Sequence, residues 1–258
     1  MYEMKFRPGF STVIFDCDYT LSTIQGINEL ADASNDPKVA KLIHDLTLNV
    51  VSGKITLEEV FAERIALAKP SRQQLEELGK RYTENITTGA KEVVEALQYL
   101  GKKVYIMSHG YKAAVDILAD YLTIPRERVF AVELGFDEQG NYSHLEIDQP
   151  LVNSTGKTQC INDIGTPKEE ILFVGDGPLD LDVIPNVGMF VGFGGIKEHK
   201  LVKKTAEFYL TCPSLLPILF IATSAMEKNL LQATDYQNLV TESFILTQNH
   251  LLCKNPKN

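Results

Sequence analysis

Two aspartates one residue apart, Asp16 and Asp18, follow the apolar, β-rich run from Thr12 to Phe15. Residues i and i+2 of an extended chain share a side, so both carboxylates can face one reaction centre while Cys17 points away. Two carboxylates held together repel, and neither is buried cheaply without a cation or a proton. The pair therefore asks for an oxygen-loving divalent ion, most simply Mg²⁺. Taken alone, Asp-x-Asp also fits a strand-end aspartate that caps the next helix beside a solvated neighbour.

Three further polar positions recur in order along the chain. Ser108 ends Val104-Tyr105-Ile106-Met107, and Lys157 opens a helix. Gly175-Asp176-Gly177-Pro178-Leu179-Asp180 follows Ile171-Leu172-Phe173-Val174. With Asp16-Cys17-Asp18-Tyr19-Thr20-Leu21, these segments resemble the four motifs of the haloacid dehalogenase superfamily of phosphotransferases, the first of which reads Asp-x-Asp-x-Thr-Leu. The resemblance spans roughly residues 10 to 212 and, within the superfamily, points to the phosphoserine phosphatases.

The resemblance implies a role for each position. Asp16 is the expected nucleophile, whose attack on phosphorus splits hydrolysis into two displacements through an aspartyl-phosphate. Asp18 is the expected general acid, then the base that activates water, and its backbone carbonyl a metal ligand. Asp16, Asp18 and Asp176 would hold Mg²⁺, with Asp180 as their orienter or an occasional ligand. Gly175 and Gly177 let the backbone approach an ion or phosphate, although Gly-Asp-Gly alone is also an ordinary turn. Lys157, with Ser154 or Thr155 as N-cap, sits in a first helical turn where the macrodipole disfavours a cation by about a few tenths of a kcal/mol. A nearby aspartate and phosphoryl group would outweigh that penalty. The Ser108 hydroxyl and the amides after it, including that of Gly110, are expected to donate to phosphate oxygens.

Arg64 aligns with the family's arginine for the substrate carboxylate, a pairing that suits bidentate geometry. The helical pattern alone equally allows an arginine snorkelling to a rim. Gln25 stands where the family has a glutamate that meets the substrate ammonium. Tyr19 replaces a small residue, Leu179 an asparagine and His109 a glycine. These departures leave hydrolysis intact in outline and loosen the expected selectivity for an amino acid.

The elements that must position these groups are an alternation of strands and helices with one interruption. From Ser22 to Ile86 the pattern is helical only, with capping boxes at Thr56-Leu57-Glu58-Glu59 and Ser71-Arg72-Gln73-Gln74. Leu57, Val60, Phe61, Ile65 and Ala68 make one apolar stripe. Strand Lys103 to Met107, helix Tyr111 to Leu122, a hairpin of Phe130 to Leu134 with Tyr142 to Ile147, helix Lys157 to Ile164, and strands Ile171 to Val174 and Met189 to Gly192 follow. The fold class is α/β: a doubly wound, mostly parallel sheet (a Rossmann-like core) with a helical cap inserted after the first strand. Residues 1–21 and 87–212 are assigned to the catalytic core, 22–86 to the cap, and 213–258 to a C-terminal helical extension whose last residues fray.

The 258 residues are 44% hydrophobic and carry a net charge of −9, which argues against nucleic acid or an anionic membrane as partner. No apolar run is long enough to span a bilayer. Four cysteines without C-x-x-C spacing and no basic-then-apolar leader suggest reduced thiols in a cytoplasmic protein. Cys17 lacks the His-Cys-x₅-Arg frame of a thiol phosphatase and reads as strand packing. Gly192-Phe193-Gly194-Gly195 reads as a turn, and Gly156-Lys157-Thr158 lacks the first glycine of a P-loop. The expected activity is Mg²⁺-dependent hydrolysis of a small phosphomonoester, O-phospho-L-serine first and another phosphorylated metabolite as the alternative. A phospho-accepting signalling domain uses the same residue types but has no use for a lid. A non-catalytic binding module has no need of all four motifs. Oligomeric state is not legible.

Overall fold

The computed structural model describes residues 9–34 and 36–253. Strand β1 (Thr12–Phe15) is followed by four helices, α1 (Gly26–Asp32), α2 (Pro37–Val51), α3 (Leu57–Ala68) and α4 (Arg72–Glu84). Next come α5 (Ala90–Tyr99), β2 (Lys103–Tyr111), α6 (Lys112–Tyr121), β3 (Val129–Val132), β4 (Leu134–Phe136), β5 (Tyr142–Leu145) and α7 (Gly156–Ile164). After β6 (Ile171–Gly175) a 3₁₀ segment, Pro178–Asn186, leads to β7 (Met189–Phe193), α8 (Lys200–Thr205) and β8 (Phe208–Leu210). The chain continues through α9 (Leu216–Ala222), α10 (Ala225–Gln232), α11 (Gln237–His250) and β9 (Leu251–Cys253).

Seven strands form one sheet in the order β3-β2-β1-β6-β7-β8-β9, antiparallel only at β9. Every residue of β1, β6 and β7 is buried, as expected of strands covered on both faces. Register decides where the chemistry goes. Phe15 pairs with Ile106 on one side and Val174 on the other, so Asp16, Ser108 and Asp176 emerge together at the carboxyl edge of three adjacent parallel strands. The Asp16 amide donates to the Val174 carbonyl at 2.9 Å, which pins the start of the loop.

The helical block between β1 and α5 is fastened to the rest at several points. Gly79 of α4 lies against Ile117 and the Ala114 carbonyl of α6, where a Cβ would overlap both. The Arg72 amide donates to the Gly140 carbonyl of the β4–β5 turn at 2.8 Å, and the Arg72 guanidinium lies over the Phe136 ring. The Ser154 hydroxyl, in the loop before α7, donates to the Glu58 carboxylate of α3 at 2.6 Å and accepts from the Leu57 amide at 3.2 Å. Both halves of the Ser71–Gln74 capping box form, while at Thr56 the Glu59 carboxylate accepts from the Thr56 amide. No helix among the described residues is long and apolar enough to cross a membrane.

Four expectations need correction. Extended backbone does not stop at Met107. It continues to Tyr111 through a register shift between Met107 and Tyr111, so Ser108 lies within β2 rather than ending it. The hairpin is Leu134–Phe136 with Tyr142–Leu145, because Phe130 belongs to β3 and pairs with Met107 in the main sheet. Thr155 is the N-cap residue of α7, one of the two expected, but it makes no side-chain cap bond, and the Ser154 hydroxyl faces α3 instead. The segment after Pro213 is not only helical, since β9 pairs with β8 through Tyr209 and Leu252. That segment is also tied to the core. The Phe10 amide donates to the Ala222 carbonyl at 3.0 Å, and the buried Lys102 ammonium bonds the Phe10 carbonyl at 2.7 Å and the Glu227 carboxylate at 2.5 Å. Fraying was expected at the last residues, and 254–258 lie outside the described residues.

Candidate active site

The centre of the site is one ammonium among carboxylates. Lys157, 1% exposed, donates to Asp16 Oδ1 at 2.5 Å and to Asp180 Oδ1 at 2.6 Å. Burial pushes the Lys157 amine towards neutrality, but the two aspartates overcome it and hold the group charged, above its ordinary range. Asp180 Oδ2 accepts from the Gly177 amide at 2.9 Å, so both Asp180 oxygens are engaged. A Cβ on Gly175 would strike the Asp180 carboxyl, which is why a glycine ends β6.

Asp16, Asp176 and Asp180 are buried with ligand oxygens within 4.8 Å of one another. Burial lifts Asp16 well above the usual carboxylate range; Lys157 opposes this, while Asp180, Asp176 and Asp18 add to it. Burial lifts Asp176 too, with Asp180 adding. One lysine cannot neutralise this cluster, and hard oxygen donors of this kind fit a divalent cation. Asp16, Asp176 and Asp180 are the side chains whose oxygens converge where it would sit.

Asp18 faces the same cavity, and its Oδ1 accepts from the Tyr82 hydroxyl at 2.6 Å and from the Gly26 amide at 3.2 Å. Burial lifts the Asp18 carboxyl above its ordinary range against those two bonds. A Cβ on Gly26 would overlap the Tyr82 hydroxyl, so glycine is needed for both donors to reach one oxygen. The buried Ser108 hydroxyl accepts from the Gly110 amide at 2.9 Å. That amide is therefore turned to Ser108 rather than left open, contrary to the expectation for Gly110.

The carboxylates open into a cavity of about 90 Å³ that Ser108, Lys157, Tyr19, Gln25 and His109 also line. A second cavity of about 70 Å³ shares Asp18, Gln25 and His109 with the first and reaches Arg64 and Gly110. Arg64 is 7% exposed; it donates to the Thr47 hydroxyl at 3.3 Å, and its Nε has no hydrogen-bond partner. Among the described residues no carboxylate forms an ion pair with it. Gln25 Oε1 accepts from the Asn28 amide at 2.8 Å, so the carbonyl oxygen expected to meet an ammonium already has a donor.

The sequence reading missed three groups. Tyr82 sits on the apolar face of α4 with Leu75 and Leu78, a pattern that signals only core. Lys197, over the Tyr19 ring at 4.5 Å, and His199, with Nε2 3.5 Å from Asp176 Oδ2, reach the cavity from the loop after β7. The single available signal was that this loop follows a strand whose carboxyl end faces the site.

A family model for haloacid dehalogenase-like hydrolases matches residues 10–188. The chain is 33% identical over 201 residues to the Bos taurus phosphoserine phosphatase, covering 77% of this chain and 88% of that protein. It is 30% identical over 203 residues to the Drosophila melanogaster phosphoserine phosphatase, covering 77% and 74%. A crystal structure of a phosphoserine phosphohydrolase-like protein from Francisella tularensis superposes with a TM-score of 0.71 at 25% identity, covering 78% of this chain and 95% of that one. A substrate-bound phosphoserine phosphatase complex shares the fold with a TM-score of 0.70 at 23% identity, covering 83% and 97%. The chain belongs to the haloacid dehalogenase-like hydrolase family, as a phosphoric monoester hydrolase that resembles the phosphoserine phosphatases.

Proposed function

We propose that the protein is a cytoplasmic, Mg²⁺-dependent phosphatase that hydrolyses O-phospho-L-serine through an aspartyl-phosphate on Asp16. In the first displacement an Asp16 oxygen bonds to phosphorus and the ester oxygen leaves. Asp18 protonates that oxygen. The Tyr82 and Gly26 donors both occupy Oδ1, so the transferable proton sits on Oδ2, and the raised affinity of the buried Asp18 carboxyl for protons suits an acid that works near neutrality. In the second displacement Asp18 takes a proton from water, whose oxygen bonds to phosphorus as the bond to Asp16 breaks, releasing phosphate. Lys157 holds Asp16 in line and sits where charge develops on the phosphoryl oxygens. Ser108, with its oxygen accepting from Gly110, can turn its own hydrogen to the phosphate. Asp16, Asp176 and the Asp18 carbonyl would hold Mg²⁺, which would supply positive charge to the phosphoryl group.

The observation that carries the substrate is Arg64. A buried guanidinium without a carboxylate partner is costly unless a ligand supplies one. It opens on the same cavity as Asp18, where the leaving group must lie. The small volumes of both cavities suit a small-molecule ester, and the unpaired thiols of all four cysteines suit a reducing compartment. Arg64→Ala should lower kcat/KM for phosphoserine about ten- to a hundred-fold, the worth of a charge-assisted contact of roughly 1.5–3 kcal/mol. Phosphoethanolamine, which keeps the ammonium and lacks the carboxylate, should lose little. Equal losses on the two esters would make Arg64 structural and remove the amino-acid substrate.

A further inference from the structure

The imidazole of His109 lines both the carboxylate cavity and the Arg64 cavity. Its Nδ1 lies 2.8 Å from the Leu151 carbonyl, which can only accept, so the ring proton is on Nδ1 and Nε2 is a bare acceptor. Nε2 is buried and has no hydrogen-bond partner among the described residues. Burial, with Lys157 adding, holds the ring's pKa down to about 4, so it stays neutral and keeps the lone pair. A buried acceptor left without a donor calls for one from a ligand. Gln25, which also lines both cavities, has its carbonyl oxygen already bonded to the Asn28 side-chain amide. Beside the Arg64 guanidinium, His109 Nε2 is thus a neutral acceptor without a donor.

We propose that His109 Nε2 accepts a hydrogen bond from the ammonium of the substrate's leaving group and sets the preference for an amino-acid ester. The inference rests on the phosphoserine reading. It explains how a site with a neutral residue at position 25 can still recognise an ammonium, with Arg64 and His109 reading the carboxylate and the amine from the same cavity.

The test compares phosphoserine with 3-phosphooxypropanoate, the same ester without its amino group. The wild-type protein should prefer phosphoserine, and His109→Ala should erase most of that preference, about ten-fold or more, mainly through KM. A second measurement does not depend on that variant folding. In the Asp16→Asn protein carrying ¹⁵N-labelled histidine, phosphoserine should move the Nε2 resonance of His109 upfield, as hydrogen-bond acceptance does, and 3-phosphooxypropanoate should leave it in place. A wild-type protein that treats the esters alike would overturn both the phosphoserine reading and this inference. A wild-type preference that survives in His109→Ala, or an Nε2 resonance that phosphoserine does not move, would overturn the inference alone.

Discussion

Replacing Lys157 with methionine keeps most of the side-chain volume and removes the ammonium bonded to Asp16 and Asp180. The lysine is 1% exposed and makes two short bonds, of 2.5 and 2.6 Å, to Asp16 and Asp180. Breaking a buried pair by removing one partner costs about 3–5 kcal/mol, because the other charge stays buried without compensation. For a chain of this size that is a fall in Tm of roughly 6–20 °C. The loss should depend on pH with a definite sign. Burial raises the folded-state affinity of Asp16 and Asp176 for protons, and deleting Lys157 raises that of Asp16 further. Groups raised in the folded state contribute stability that is complete below their unfolded pKa and is lost as pH rises through the folded value. In chelator, the Tm gap between wild type and variant should therefore widen as pH is raised from about 5 to about 8, and added Mg²⁺ should narrow it by supplying the missing charge. Thermal unfolding followed by circular dichroism across that range, with and without Mg²⁺, reads all three effects. A variant that melts with the wild type at pH 8 would refute the reasoning, and so would a gap that ignores both pH and Mg²⁺.

Two further outcomes complete the tests. Asp16→Asn should abolish turnover with the fold kept, and fluoroberyllate with Mg²⁺ should inhibit the native protein. Substantial hydrolysis by the variant would remove the covalent route. Tyr82→Phe deletes a bond that lowers the Asp18 pKa, so the alkaline limb of kcat/KM, where the acid loses its proton, should move up by about one unit. An unmoved limb would mean that Asp18 is not the acid.

The readable part of the fold was the part whose residues carry one meaning. Continuous apolar runs such as Ile171 to Val174 mark strands buried on both faces, and the helical periodicity from Ser22 to Ile86 has no competing strand pattern. Errors came where a local rule met a tertiary contact. Ser108-His109-Gly110 suggests the end of a strand, yet pairing with β3 resumes at Tyr111 after the register shift. Phe208–Leu210 and Leu251–Cys253 are too short for periodicity to separate from loop, and each becomes a strand only because a neighbour at the sheet edge supplies its hydrogen bonds.

The site divides along the same line. Asp16, Asp18 and Asp176 follow strand ends, Lys157 opens a helix and Ser108 follows an apolar strand run, so spacing along the chain marks their type and place. Tyr82 carries no such mark, because a tyrosine on the inner face of a helix is ordinary core until its hydroxyl is seen to meet Asp18. That contact changes what the helical block contributes. Tyr82 belongs to α4, which is seated on α6 through Gly79 and on the β4–β5 turn through Arg72. The α3 end of the block meets the core through the Ser154 bonds to the exposed Glu58 carboxylate, which water can replace at little cost, and to the Leu57 amide, and through the Phe61 ring set edge-on to Tyr111. An opening movement that broke the Ser154 bonds and the Phe61–Tyr111 contact would admit substrate past α2 and α3 while leaving the Tyr82 hydroxyl on Asp18. The acid would then stay poised throughout the cycle, with selection at Arg64 made and released around it.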